Sequence, residues 1–140
     1  NPPAFARVFV AGPVLTPNTA AEAVRQVTDI AAQGVDIAKI RVDDNLATTP
    51  KMTPEVYRAV IDEAHKRGLR VATHLFYLND AKLLLEAGTD LVAHSVRDLP
   101  VDDALIAALK RRNVCVSPTL MREVKDMVST ARQRSRPTAP

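Results

Sequence analysis

Three side chains that could bind a metal or take part in catalysis lie within or at the end of short, β-rich runs of the sequence. Lys39 lies inside the second of five such runs, His74 ends the third run, and His94 ends the fourth. A single histidine at a strand end more often packs in the core or caps a helix than binds metal. Neighbouring parallel strands lie about 4.8 Å apart, so two histidines at the ends of successive strands can bind one ion. The spacing therefore favours a metal site over packing residues.

Lys39 adds to this pattern because a charged amine is unusual inside a strand. A bare ammonium in a strand covered on both faces is costly to desolvate and needs an anionic partner. Lys39 can pair with Asp43 or Asp44 at the end of its strand. Alternatively, carbon dioxide can carboxylate its amine, which converts the cation into an oxygen ligand able to bridge two metals.

Glycine or asparagine lies between the helix and the strand of each repeated helix–strand unit. These units would position Lys39, His74 and His94. Gly34, Gly68, Gly88 and Asn113 each follow a helical pattern and directly precede a β-rich run. Gly and Asn tolerate the left-handed conformation that ends many helices. The predicted strands are Val8–Ala11, Ile37–Val42, Arg70–His74, Leu91–His94 and Val114–Ser117. Short aliphatic strands that alternate with helices indicate an α/β fold with parallel strands.

Capping signals mark where the helices begin. Thr19 and Glu22 match a capping box, and Thr53 precedes a proline at a first helical position. Two shorter helices are predicted to open at residues 79–80 and 102–103, and a last amphipathic helix is predicted over residues 120–131. The expected buried stripes contain Val24, Val27, Ile30 and Ala31; Val56, Val60 and Ala64; Leu105, Ala108 and Leu109; and Val124, Met127 and Val128.

Composition excludes several classes of protein. With 140 residues, of which 46% are hydrophobic and 25% charged, the chain is typical of a globular domain rather than a disordered segment. No run approaches the 18 or so apolar residues of a membrane span, so no membrane partner is expected. The single cysteine, Cys115, excludes an internal disulfide framework. The net charge of +3 is modest, and no nucleic-acid motif accompanies the basic C-terminal end, so no nucleic-acid partner is expected.

The chain resembles the amidohydrolase superfamily, in its imidazolonepropionase-like and prolidase-like branch. Four stretches carry the resemblance, namely VDIAKIRVDD, TPEVYRAVIDEAHKRGLRVATH, LLLEAGTDLVAHS and ALKRRNVCVSPTL. Together they cover most of residues 7–120 in the order found in that family. The resemblance implies a partial (β/α)₈ TIM barrel over residues 1–120, with about five parallel strands that correspond to strands three to seven. Residues 121–140 would form a tail helix and a basic, proline-containing end.

The resemblance also implies a chemistry. Lys39 would be the carboxylated bridging lysine of strand four, and His74 and His94 would be the metal ligands of strands five and six. One or two divalent metals, most often zinc, are expected as the cofactor. A hydroxide activated by the metal would hydrolyse amide, peptide or cyclic amide bonds. The expected partner is a small-molecule or dipeptide-like substrate.

Two parts of the family pattern do not occur in the sequence. There is no His-x-His pair, and the strand-eight aspartate that would act as general base is missing. The remaining histidine, His65, lies on a charged helix end and is expected to be solvated. Because a (β/α)₈ barrel needs roughly 250 residues, the chain is interpreted as a little over half of a barrel. This piece alone is expected to be inactive.

Several other residues are candidates for weaker roles. Arg41 shares a strand face with Lys39, and it can bind a substrate carboxylate or pair with Asp43. Tyr77 and Arg97 lie in loops just beyond the two histidines, where barrels of this family contact substrate. The alternative is that both are exposed loop residues without a role. Cys115, Phe5, Phe9 and Phe76 are predicted to be packing residues.

A second interpretation is a non-catalytic α/β half-barrel module that associates with itself. An open sheet exposes two edges, and helices alone do not cover them. Homo-oligomers through the open sheet edges are therefore expected for the isolated chain. The sequence assigns no cellular compartment.

Overall fold

The computed structural model describes residues 6–119, in which helices and parallel strands alternate. The elements are α1 (Ala20–Ala32), β1 (Ile37–Arg41), α2 (Pro54–Lys66), β2 (Arg70–His74), α3 (Leu78–Ala87), β3 (Leu91–Ala93), α4 (Asp103–Arg112) and β4 (Cys115–Ser117). The strands form one parallel sheet in the order β1-β2-β3-β4. Neighbouring strands are consecutive in the chain and joined through a helix, which is the arrangement of a (β/α)₈ barrel segment. The predicted α/β class is confirmed.

The prediction of a first strand over Val8–Ala11 is wrong. This segment lies beside β1, where the Asp36 amide donates to the Val10 carbonyl at 2.9 Å and the Leu15 amide donates to the Lys39 carbonyl at 2.8 Å. Between these contacts Gly12 has a φ of +64°, and the proline that follows it has no amide proton to donate. The ladder is therefore interrupted, and the sheet formed by residues 6–119 has four strands rather than five.

Helix α1 begins at the predicted cap but buries a slightly different face. The Thr19 side chain accepts a hydrogen bond from the Glu22 amide at 3.2 Å, and the Glu22 carboxylate accepts one from the Asn18 amide at 2.8 Å. Val24, which was predicted to be buried, is exposed. The buried residues of α1 are Ala23, Val27 and Ile30. They follow helical spacing, and the face they mark is centred one residue before the predicted stripe.

The predicted left-handed helix ends are confirmed. Gly34, Gly68, Gly88 and Asn113 have φ values of +72°, +74°, +103° and +52°. Each of them closes a helix just before the strand that follows it. Because the strands that follow these turns are all parallel, the carboxyl ends of β1, β2 and β3 lie at one edge of the sheet.

The aliphatic core lies between the sheet and the helices. In β1, Ala38 and Ile40 are buried in this core, whereas Lys39 and Arg41 are half-buried on the opposite face. The two basic side chains therefore share one face of the sheet, as predicted. The predicted stripes of α2 and α4 also belong to this core. None of the helices within residues 6–119 is long and apolar enough to cross a membrane.

Strand β4 is exposed along its whole length. Cys115, predicted to be a small core residue, is exposed, and Val116 is 43% exposed. The reason is that β4 pairs only with β3 within the described part of the chain. Phe9 is likewise exposed rather than packed. Phe5, the helix predicted over residues 120–131 and the tail predicted over residues 121–140 lie outside the described residues.

Candidate metal centre

A cleft of about 270 Å³ opens at the carboxyl ends of the strands. Its lining residues are Val14, Lys39, Arg41, Asn45, His74 and His94. All three predicted metal ligands thus line the same cleft, together with Arg41. The parallel register produces this convergence, because Lys39 pairs with Ala72 and Arg41 pairs with His74 across β1 and β2.

The two imidazole rings of the cleft are close enough to serve one ion. The ring centroids of His74 and His94 are 4.6 Å apart, and the rings are inclined at 74°. Two imidazoles that bind one tetrahedral zinc ion at 2.0–2.1 Å have centroids roughly 5 Å apart. The observed separation is therefore compatible with a shared ion.

His74 is held in its neutral form. Burial lowers the pKa of His74 from its ordinary value of 6.5 to about 4, against the opposing attraction of Asp43 and with a further lowering by His94. Its side chain is only 12% exposed, and its Nε2 lies 3.3 Å from Oδ1 of Asp43. A neutral imidazole has the lone pair that a metal ligand requires, so His74 can bind a metal at neutral pH without first losing a proton.

His94 reaches the cleft through an unusual backbone conformation. Strand β3 ends at Ala93, which is the residue in register with His74. His94 follows with a φ of +81°, and its amide donates to the Ser117 carbonyl at 2.8 Å. Its Nδ1 lies 2.7 Å from the Thr119 hydroxyl. Side chains alternate between the two faces of a strand, so a further extended residue would point away from the Ala93 face. His94 nevertheless lines the cleft. Its positive φ marks the point at which the side chains stop alternating between the two faces.

Lys39 pairs with neither of the two aspartates considered for it. Asp43 accepts from Nε of Arg41 at 3.0 Å, and Asp44 accepts from the Tyr77 hydroxyl at 2.8 Å. Within residues 6–119, the Lys39 amine has no ion pair and no side-chain hydrogen bond. The pairing of Arg41 with Asp43 is one of the two alternatives considered for Arg41 from the sequence.

The two loop residues considered for substrate contact lie outside the cleft lining. Tyr77 is held by Asp44, and the Lys51 amine lies 3.7 Å from its ring centre. The hydrogen bond to Asp44 raises the pKa of the Tyr77 phenol. The Arg97 guanidinium carbon lies 4.8 Å from the ring centre of Phe76. The substrate roles of Tyr77 and Arg97 remain predictions.

Three residues of the site were not singled out from the sequence as site residues. Asp43 was considered only as a charge partner, although it contacts His74 as well as Arg41. Asn45 and Val14 line the cleft from loops. Asn45 starts a run of three residues with positive φ, and asparagine tolerates this conformation better than most residues, which is the signal that could have marked the turn.

The donor set within the described residues is partial. No group of three or more His, Cys, Asp or Glu side chains within residues 6–119 is placed to hold a metal ion. The available donors are two imidazoles and the Lys39 amine. They fit part of a metal site that uses a modified lysine.

Comparisons with known proteins identify the fold. No protein-family model and no curated protein matches the sequence. Among solved structures, a Xaa-Pro dipeptidase with methionine bound in its active site matches with a TM-score of 0.65 and 24% identity, over 79% of this chain and 29% of that one. An amidohydrolase matches with a TM-score of 0.61 and 23% identity, over 72% and 25% of the two chains. The chain has the fold of part of an amidohydrolase barrel.

A candidate prolidase from Bifidobacterium longum is also similar to this amidohydrolase-like chain. It matches with a TM-score of 0.56 and 31% identity, over 69% of this chain and 23% of its own. The amidohydrolase-like chain thus spans less than a third of each of the three solved proteins. The resemblance seen in the four sequence stretches is confirmed in the fold, with β1, β2 and β3 presenting Lys39, His74 and His94 in succession.

Proposed function

We propose that the chain contributes part of the active site of a metal-dependent amidohydrolase. In this proposal Lys39, His74 and His94 bind one or two divalent ions, with zinc preferred because imidazole suits it. The observation that carries the proposal is that these three side chains line one cleft at the carboxyl ends of adjacent parallel strands. In barrels of this kind, the active-site residues lie at the carboxyl ends of the strands.

Two of the three proposed ligands, His74 and Lys39, are in a chemically suitable state or can reach one. His74 is neutral at pH 7 because burial lowers its pKa to about 4. Lys39 becomes an anionic oxygen donor when its neutral ε-amine adds to carbon dioxide and the new carbamic acid releases a proton. A bound divalent ion supplies a Lewis acid, which polarises the carbonyl of an amide and lowers the pKa of water.

We assign to Arg41 the role of binding the substrate. Asp43 accepts from Nε of Arg41, and the two terminal nitrogens have no ion pair within residues 6–119. A guanidinium fork binds a carboxylate through two parallel hydrogen bonds. A substrate with a free carboxylate, such as a dipeptide or an N-acyl amino acid, suits this arrangement. Tyr77 and Arg97 are secondary candidates for contact with a larger substrate.

Metal titration of the chain tests the ligand assignment. We expect Co²⁺, used as a visible probe, and Zn²⁺ to bind with an affinity that falls by about tenfold or more in Lys39→Ala, His74→Ala and His94→Ala. His65→Ala is the matched control, because His65 contacts Asp90 and does not line the cleft. Equal binding by the chain and a variant that lacks all three ligands would contradict the assignment.

The alternative function, a non-catalytic half-barrel module that associates with itself, has one observation in its favour. All three residues of β4 are exposed, and an unpaired strand edge can pair with another chain. In this case the chain would associate equally well with and without divalent metal, and the three cleft variants would leave both association and metal content unchanged.

A further inference from the structure

Asp43 is a buried carboxylate that touches two functional groups of the cleft. Its side chain is 5% exposed. Oδ1 lies 3.0 Å from Nε of Arg41 and 3.3 Å from Nε2 of His74. A buried carboxylate is costly unless it is paired, and Arg41 provides the compensating charge. Asp43 does not line the cleft, so it acts on the site only through its two neighbours.

The backbone fixes Asp43 in this place. The amide of the preceding residue, Val42, donates to the carbonyl of His74, the last residue of β2, at 3.1 Å, which extends the pairing of the two strands one residue past the end of β1. The Val42 carbonyl accepts from the Met52 amide at 3.1 Å, which anchors the returning loop. Asp43 is therefore held next to His74 by main-chain contacts that do not depend on its own side chain.

From this geometry we infer that Asp43 is a positioning residue, which holds His74 with its proton on Nε2 and ties the same carboxylate oxygen to Arg41. The negative carboxylate oxygen 3.3 Å away favours the tautomer with its proton on Nε2, which leaves the lone pair of the neutral ring on Nδ1. Carboxylates that accept the proton of a ligand imidazole fix its tautomer and orientation in many metal sites. The inference rests on the proposed function only for the use of Nδ1 as a metal ligand, and one carboxylate then aligns the ligand His74 with the substrate-binding group Arg41.

Nitrogen-resolved NMR of the metal-free chain tests this role without any metal or substrate. The chain has three histidines, so the His65→Gln and His94→Gln variants assign the His74 signals. We expect His74 to carry its proton on Nε2. In Asp43→Ala, exchange of this proton with water should accelerate by about tenfold or more, because the attraction of the charged carboxylate for this proton is lost. Asp43→Asn keeps the size of the side chain but removes its charge, and it should show most of the same acceleration.

A second histidine–aspartate pair provides the matched control. Nε2 of His65 lies 2.9 Å from Oδ2 of Asp90, so Asp90→Asn should change the His65 signals and leave those of His74 as they are. Unfolding of each variant, followed by circular dichroism, separates loss of the fold from loss of the contact. If Asp43→Ala does not fold, Asp43→Leu, which keeps the volume but has no acceptor, replaces it in the comparison.

The outcomes separate this inference from the proposed function. A His74 proton on Nδ1, or an Nε2 proton whose exchange is unchanged without the Asp43 carboxylate, overturns the positioning role whatever the metal titration shows. The expected exchange behaviour in a chain that binds neither Co²⁺ nor Zn²⁺ supports the positioning role and contradicts the metal site. Where metal does bind, Asp43→Ala should weaken Co²⁺ binding about tenfold, and Asp90→Asn should not.

Discussion

The hydroxyl of Tyr57 is buried without a hydrogen-bond partner among the described residues. Only 3% of Tyr57 is exposed, and burial raises the pKa of its phenol. A buried hydroxyl that makes no hydrogen bond destabilises the folded state by its desolvation cost, which is about 1–3 kcal/mol. The ring itself packs in the core formed by α2 and its neighbours.

Removal of this hydroxyl is therefore expected to stabilise the chain. Tyr57→Phe keeps the ring and should raise the free energy of unfolding by about 1 kcal/mol, measured by urea denaturation. Tyr77→Phe is the matched control, since that hydroxyl donates to Asp44 at 2.8 Å, and its loss should lower the stability. A destabilised Tyr57→Phe variant would show that the phenol has a partner, such as an ordered water.

Both tyrosines of the chain should ionise late in an alkaline titration. The chain has two tyrosines, and the pKa of each is raised from 10.0, in Tyr57 chiefly by burial and in Tyr77 chiefly by the hydrogen bond to Asp44. At pH 10, ultraviolet absorbance should show that less than half of the phenol is ionised. Asp44→Asn should move only the Tyr77 step to lower pH. Half or more ionised phenol at pH 10 in the folded chain would contradict these environments.

At the scale of the elements, helix α1 depends on its first turn. Thr19 accepts from the Glu22 amide at 3.2 Å, which satisfies one of the amides that have no partner within the helix. Thr19→Ala should lower the free energy of unfolding by about 1 kcal/mol. Thr16, three positions earlier and exposed, is the control, and Thr16→Ala should change the stability much less. Equal effects of the two substitutions in urea denaturation would show that the cap does not stabilise α1.

Local signals predicted the elements well where the decisive contacts are close in sequence. The cap at Thr19 and the left-handed ends at Gly88 and Asn113 involve only a few neighbouring residues. The strand predicted at Val8–Ala11 failed because pairing depends on a distant partner, and the chain turns at Gly12 before the ladder is complete. The prediction that Cys115 is buried failed for a related reason, because the burial of this residue depends on what covers β4.

The sequence predicted several residues that line the candidate cleft, but it did not predict their detailed geometry. The strand pattern brought Lys39 and His74 to one end of the sheet. It did not show that His94 lies one residue past its strand, or that Asp43 contacts His74 across the sheet. Backbone dihedral angles and contacts between strands are properties of the folded chain, so residue types and spacing alone do not determine them.

At the scale of the whole molecule, the exposed strand β4 should promote self-association. Val116 is 43% exposed in a strand whose outer edge has no partner within the described residues. The chain should sediment above its monomer mass of 15.2 kDa, and Val116→Lys should reduce this association because charge on an edge strand opposes pairing. Val101→Lys, at an exposed valine outside any strand, is the control. Sedimentation of the unmodified chain as a monomer would contradict the expected association.

His94 also bears on how the chain can evolve. A histidine with a φ of +81° occupies a conformation that glycine adopts at much lower cost. Replacement by glycine would relieve this strain and remove an imidazole from the cleft in the same step. Under the proposed function, selection for a robust fold and selection for metal binding act in opposite directions at this one position. On the same proposal, descendants of the chain released from metal binding should tend to lose His94 before His74, which has no comparable backbone strain to relieve.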